Sequence, residues 1–452
     1  MSLFSVLSGL MDSVWEARTR SKRLPQASKA ALPDDRLVAM GNSSWMLGSR
    51  VASQVFAAAL TIIVARGLGE AGLGQYAFIA SLLMIANVVT TFGTDTLLIR
   101  EIAARPENAA GAAKGVVGIQ LSLSVLVIIA CWIAGQANYL PSNITRTIFV
   151  FSLSLIPLAF YSVFSAVLRA REHMDQYMLV TLFNSGLQAI GAWLVISQGG
   201  GLMGLAFLTL AASTSSCILA GQLCRRSAPD LFLSQGFPIW EPVKILKLAL
   251  PLALLTGLGV IYQRSSVVML AWFTGEAATG WYSASFRVIE VFKIFHFSIL
   301  GGLFPLMARL PFRKDGLHAG GTRRFHSLSR WSFLLLLAIS LAGSLIMRIA
   351  APVVISLVYG SGFGPSIPVL QTQAWILVPY AITSHQSLVL VVRGRERLVL
   401  LGILLALFLL VGLSLAWIPV LGAQGAARAA VATETVLAVI LWTFRTMQEE
   451  RN

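Results

Sequence analysis

Apolar runs of about twenty residues recur along this chain of 452 residues, separated by short polar connections. A helix of that length crosses the roughly 30 Å hydrocarbon core of a bilayer. In lipid every backbone N–H and C=O must be satisfied within the protein, which leaves helices as the structure open to such runs. The composition agrees, with 56% apolar and only 12% charged residues, against about 25% charged in soluble proteins. The expected fold class is therefore an all-α polytopic membrane protein. About twelve transmembrane helices are predicted, near 42–65, 74–92, 115–134, 147–166, 177–197, 202–223, 248–273, 281–305, 331–347, 369–390, 398–418 and 423–444.

The net charge of +15 does not point to nucleic acid, because the basic residues are sorted by loop. Of 34 Lys and Arg, 26 fall in the two tails and in alternate connections, three in the opposite connections (Arg66, Arg146 and Arg348) and five within spans. By the positive-inside rule both termini are expected in the cytoplasm. Cys131, Cys217 and Cys224 sit in or beside apolar segments without metal-ligand spacing and read as packing residues. No metal or other cofactor is expected.

Five segments are predicted in order. Residues 1–36 form a tail, with apolar residues at helical spacing over 1–18 and Arg18, Arg20, Lys22 and Arg23 behind them, a pattern that suits a helix on an anionic membrane face. A six-helix lobe over 37–224, a linker over 225–247, a second six-helix lobe over 248–445 and a tail over 446–452 follow. The connection 348–368 has an apolar part too short to span and is expected to lie at the interface or dip inward.

Charge inside the spans is the main functional signal. Span seven carries Arg264, flanked by Tyr262, Gln263, Ser265 and Ser266, and span eight carries Arg287, Glu290, Lys293 and His296 at three-residue intervals. That interval keeps the four on one face of a helix. A charge at the bilayer centre costs at least about 2.5–3.5 kcal/mol, so such residues face partners or a wet cavity. Glu290 neutralising Arg287 and Lys293 is one reading; a cation-lined cavity for an anion, with Glu290 orienting the cations, is the other. Arg50 on span one lies roughly 12 Å inside the start of its helix, deep for a snorkelling side chain. On span twelve, Arg428 is read as facing the cavity or snorkelling, and Glu434 as a buried protonated acid or a proton-coupling group. His296 and His385 are expected to be packed and hydrogen-bonded.

The chain also repeats itself. Gly69, Glu70, Ala71, Gly74 and Tyr76 recur as Gly275, Glu276, Ala277, Gly280 and Tyr282, an offset of 206. A second echo, VLRAREHM (167–174) and VVRGRERL (391–398), has an offset of 224, and the extra 18 residues are assigned to the connection after span eight. Two parallel six-helix repeats related by a pseudo-two-fold axis, with a central cavity between lobes, are the plan of an alternating-access transporter.

Three stretches then resemble a known group: ARGLGEAGLGQYAFIASLLMIANVVTTFGTDTLLIREIA (65–103), IYQRSSVVMLAWFTGEAATGWYSASFR (261–287) and LVYGSGFGPSIPVLQTQAW (357–375). They are similar to the polysaccharide-repeat flippases, the lipid-linked oligosaccharide (O-antigen type) branch of the multidrug/oligosaccharidyl-lipid/polysaccharide exporter superfamily. The resemblance implies two six-helix lobes around a V-shaped cavity. It also implies an activity, turning an undecaprenyl-diphosphate-linked oligosaccharide from the cytoplasmic to the outer leaflet of a bacterial inner membrane. Cations that the family uses for the diphosphate correspond here to Arg50, Arg264, Arg287 and Lys293. Many members have an aspartate two residues after the span-seven arginine, where this chain has Ser266.

The expected partners are the lipid-linked oligosaccharide, membrane lipid and a polysaccharide assembly machinery, with no nucleic acid. The rival reading is a multidrug or organic-cation antiporter of the same superfamily. It would favour acids in the cavity, whereas spans seven and eight carry more cations than acids. An enzyme is not expected, since the outer connections supply no paired constellation of reactive groups, and no GxxxxGK[ST] loop is present.

Overall fold

The computed structural model describes residues 33–136, 141–233, 242–308 and 319–449. The amphipathic segment expected at the start of the chain lies outside them. In chain order the helices are α1 (Pro33–Thr91), α2 (Thr94–Ala104), α3 (Ala109–Gln136), α4 (Ser142–Leu153), α5 (Leu155–Ala170), α6 (Met174–Ser197), α7 (Gly201–Ser227) and α8 (Asp230–Leu233). They continue as α9 (Pro242–Phe273), α10 (Glu276–Ala308), α11 (Ala319–Val358), α12 (Ser366–Gln373), α13 (Leu377–Val392), α14 (Glu396–Leu421) and α15 (Ala423–Glu449). Short 3-10 turns complete the described secondary structure, which contains no strand. The fold is all-α, as expected.

Among the described residues, nine helices are long and apolar enough to span, or ten with α9, which bends by 47° near residue 255. The two arms of α1 pass as one in that count, and α10 (Glu276–Ala308) is not part of it. Counting the arms separately and including α10 gives twelve passes. The outward faces carry exposed Leu126, Trp132, Ile133, Ile190, Trp193, Ile349, Val353 and Phe408. An apolar surface of that kind belongs in lipid, and the protein is a multi-pass membrane protein.

Several span ends differ from expectation for identifiable reasons. GEAGLGQYAF reads as a loop because it combines three glycines with a glutamate. In the structure only Gly69 leaves helical geometry (φ 69°, ψ −169°), and the helix resumes at once. Span four divides into α4 and α5 at Ser154, and span ten into α12 and α13 around residues 374–376. Proline has no N–H for the carbonyl four residues back. Pro157 and Pro379 therefore orphan the carbonyls of Leu153 and Trp375, where the breaks fall. The connection expected over 348–368 is mostly helix: α11 continues through Pro352 to Val358.

The chain divides into two compact units. Unit one comprises residues up to Arg50, Leu83–Leu187 and Thr209–Gly257. Its core packs Leu98 and Ile102 of α2 against Val116 of α3, Val163 of α5, Cys224 of α7 and Ile245 of α9. An ion pair from Arg169 to Asp95 (3.6 Å) and another from Arg171 to Asp230 tie its connections together. Unit two comprises Val51–Leu82, Gln188–Leu208 and the chain from Leu258 onward, and so mixes segments of both sequence halves. Its core joins Val64 and Leu73 of α1, Leu205 of α7, Ile289 of α10, Ile355 of α11 and Leu377 of α13.

The internal repeat is visible in unit two as a reciprocal crossing. Gly69 and Gly275 both take left-handed φ, 69° and 82°. A Cβ on Gly74 would lie 1.8 Å from the Glu276 carbonyl oxygen, and one on Gly280 would lie 2.0 Å from the Glu70 carbonyl oxygen. Each glycine thus admits the backbone of the other repeat. Beside them the Trp281 indole donates to the Glu70 carboxylate at 2.5 Å.

Candidate functional site

Glu290 on α10 is held by two arginines. Its Oε1 accepts from Arg264 Nη2 on α9 at 3.3 Å, and its Oε2 is 2.6 Å from Arg287 Nη1, one turn earlier on α10. The second contact is an ion pair by distance without the alignment of a hydrogen bond, as the fixed geometry of an i,i+3 pair within one helix explains. Arg287 also donates from Nε to Thr61 Oγ1 on α1 at 3.0 Å. Arg264 Nε is buried and has no hydrogen-bond partner among the described residues. The three charged side chains are only 12–22% exposed. Ionised groups so far from water persist only when paired, and here two cations share one acid.

Lys293, one turn further along α10, shares Glu290 in one of the two readings of the sequence. Its ammonium instead lies 4.3 Å from the Tyr380 ring centroid and 5.9 Å from that of Phe286. Aromatic faces attract cations without neutralising them. Among the described residues Lys293 makes no ion pair within 4 Å; Glu434 and Glu290 are the acids whose fields reach it. Arg264 takes the place expected for Lys293 because α9 brings its guanidinium across to Glu290 and over the Phe286 ring.

Glu434 on α15 is buried, at 5% exposure. Tyr262 Oη donates to its Oε2 at 2.8 Å and Thr383 Oγ1 to its Oε1 at 2.5 Å. The acid therefore has two hydroxyl partners, from α9 and α13. His296 bonds Ser340 at 2.5 Å and His385 bonds Ser332 at 3.2 Å, the packed arrangement expected of both. Gln263 and Arg428 are exposed on α9 and α15. Arg50 is exposed on α1 and belongs to unit one, while Arg264, Arg287 and Lys293 belong to unit two.

Four of the sequence candidates thus converge in unit two: Arg264, Arg287 and Glu290 directly, and Lys293 beside them. Thr61, Thr383 and Tyr380 were missed. A threonine or tyrosine in an apolar run is too common to stand out, and only the fold reveals which one faces a charge. The arrangement can hold a multiply charged anion: it offers guanidinium forks suited to phosphate oxygens, an unspent buried donor and a lysine whose charge no contact cancels.

Fold and charges together define an all-helical polytopic membrane protein with a paired cation cluster inside its bundle. Residues 39–311 match the model of the polysaccharide biosynthesis protein family. The chain belongs to that family, in agreement with the resemblance drawn from its sequence. No curated protein sequence matches it. Among solved structures it is similar to the inward-facing form of a multidrug resistance MATE family transporter of the MOP superfamily. That pair is 19% identical, with a TM-score of 0.70 over 88% of this chain and 94% of the other. The outward-facing form of a transporter so described gives a TM-score of 0.64 at 18% identity, over 91% and 95%. A MOP superfamily transporter from Pyrococcus furiosus Vc1, described as having a binding pocket of reversed polarity, gives 0.65 at 17% identity, also over 91% and 95%. At these identities the likeness establishes a shared fold.

Proposed function

We propose that the protein is a flippase that moves undecaprenyl-diphosphate-linked oligosaccharide repeats from the cytoplasmic to the outer leaflet by alternating access, for export of a surface polysaccharide. The observation that carries this reading is the part-buried cluster in which Arg264 and Arg287 share Glu290 while Lys293 stands beside them with no ion pair among the described residues. A diphosphate diester brings two negative charges, and the four groups carry two net positive ones. Membership of a polysaccharide biosynthesis family supports a cargo of this class. In this reading the protein is not an enzyme and sits in a bacterial inner membrane with both termini cytoplasmic. A polysaccharide assembly machinery receives the product.

The organic-cation antiporter reading has one observation on its side: Glu434, a buried acid ringed by neutral hydroxyls, is the kind of group a cation would seek. A binding measurement separates the two. A short-chain prenyl-diphosphate sugar should bind the purified protein saturably, and Arg264→Gln should weaken that binding at least tenfold in a protein that still folds, by analogy with about 1.4 kcal/mol per decade. Equal binding by both forms would move the headgroup site away from Arg264. No binding by either, with binding of an organic cation, would favour the antiporter.

A further inference from the structure

We infer that Glu290 is a selectivity residue: its carboxylate stands in for an anion between Arg264 and Arg287, and so shields the pair from singly charged phosphodiester headgroups. The inference rests on the flippase reading above. A bundle in a membrane is bathed in phospholipid, whose headgroups present phosphodiesters at far higher concentration than any export intermediate. A bare pair of part-buried arginines would attract them all.

The geometry shows how the pair is shielded. Glu290 engages one arginine with each carboxylate oxygen, at 3.3 Å and 2.6 Å. What remains for a newcomer is the unpartnered Nε of Arg264 and the ammonium of Lys293, which rests on the rings of Tyr380 and Phe286. Lys293 is one turn beyond Glu290, about 4.5 Å along the helix axis. A single phosphodiester brings one charge on one phosphorus and gains little from a pair already half neutralised. A diphosphate brings two charges on adjacent phosphorus atoms, to set against the Arg264 edge and Lys293, which lie 5.8 and 5.9 Å from the same Phe286 ring centroid, and to compete with Glu290 for the forks. The carboxylate therefore costs both ligands some attraction, but takes the larger share from the one with a single charge.

The test compares two probes on the full-length protein: a short-chain prenyl-diphosphate sugar, and dioctanoyl phosphatidylglycerol as the monoanionic phosphodiester. Glu290→Gln should tighten phosphatidylglycerol binding by at least about tenfold and shrink the preference for the diphosphate by a similar factor, while Glu290→Asp should restore the wild-type preference. Parallel weakening of both probes by Glu290→Gln would mean that the residue only positions the arginines and would overturn the inference, as would an unchanged preference. Should the amide variant not fold, the wild-type protein gives the answer in nanodiscs. Diphosphate binding should be the same in zwitterionic discs as in discs rich in phosphatidylglycerol, and its suppression in the latter would refute the shielding. A wild-type protein that binds no diphosphate in any disc would sink the flippase reading, and this inference with it.

Discussion

Glu434 shows how much a single buried side chain can organise. Both its carboxylate oxygens are occupied, by Tyr262 and Thr383, so its removal takes the acceptor from the Tyr262 hydroxyl, while Thr383 keeps the Pro379 carbonyl at 2.7 Å. A buried polar group left unsatisfied costs about 1–3 kcal/mol. Glu434→Ala is therefore expected to lower the thermal unfolding midpoint in detergent clearly, and Glu434→Gln, which keeps an acceptor oxygen, to lower it less. Equal loss from both would assign the stability to the charge and not to the hydrogen bonds. At this scale the sequence was readable where charge interrupts an apolar run: Arg264, Arg287, Glu290 and Lys293 all stood out. Their partners were not readable. Spacing along α10 points Glu290 toward Lys293, but a contact across helices to Arg264 depends on how α9 and α10 pack, and no local pattern encodes that.

Among the elements, the crossing of α1 and α10 depends on having no side chain at two positions. Adding a Cβ to Gly280 or Gly74 drives it into a backbone carbonyl 2.0 or 1.8 Å away, and overpacking of this kind costs about 1–3 kcal/mol. Gly280→Ala and Gly74→Ala should lower the unfolding midpoint by similar amounts. Gly111→Ala in α3, where a Cβ would meet nothing within 4 Å, should be neutral or raise it, since alanine is favoured over glycine within a helix by up to about 1 kcal/mol. The offset of 206 read from the sequence is the structural one here. At the second echo it is not. The turns after α5 and α13 are the same Schellman motif, closed by His173 N–H to the Leu168 carbonyl and by Arg395 N–H to the Leu390 carbonyl, with left-handed Glu172 and Gly394 between. That register, like the one relating Pro157 to Pro379, is 222 and not 224. Arginine-rich turns match at either shift by letters alone; the hydrogen bonds choose. Part of the extra length in the second half, assigned from sequence to the loop after span eight, lies in α11, which has 40 residues against 28 in α3. The Arg66 side chain caps its far end, donating from Nε to the Val358 carbonyl at 2.9 Å and from Nη2 to that of Leu357 at 2.5 Å.

For the whole molecule, the flippase reading makes a claim about energy supply. Carrying two uncompensated negative charges outward, down an inside-negative potential of 100 mV, releases about 4–5 kcal/mol, at about 2.3 kcal/mol per charge. Translocation in sealed vesicles should therefore follow the membrane potential at fixed pH, and export that persists unchanged after the potential is collapsed would count against a purely electrical drive. Class and span number were legible because lipid permits so few structures. The division into compact units was not, since it runs through α1, α6, α7 and α9, and where a helix changes company depends on tertiary packing. The glycine crossing carries one more consequence. Where helices interlock through side chains, any relative movement must wait for rotamers to rearrange. At Gly74 and Gly280 backbone lies directly on backbone, so at these two points no rotamer stands in the way of sliding, and the Trp281–Glu70 hydrogen bond is the latch beside them.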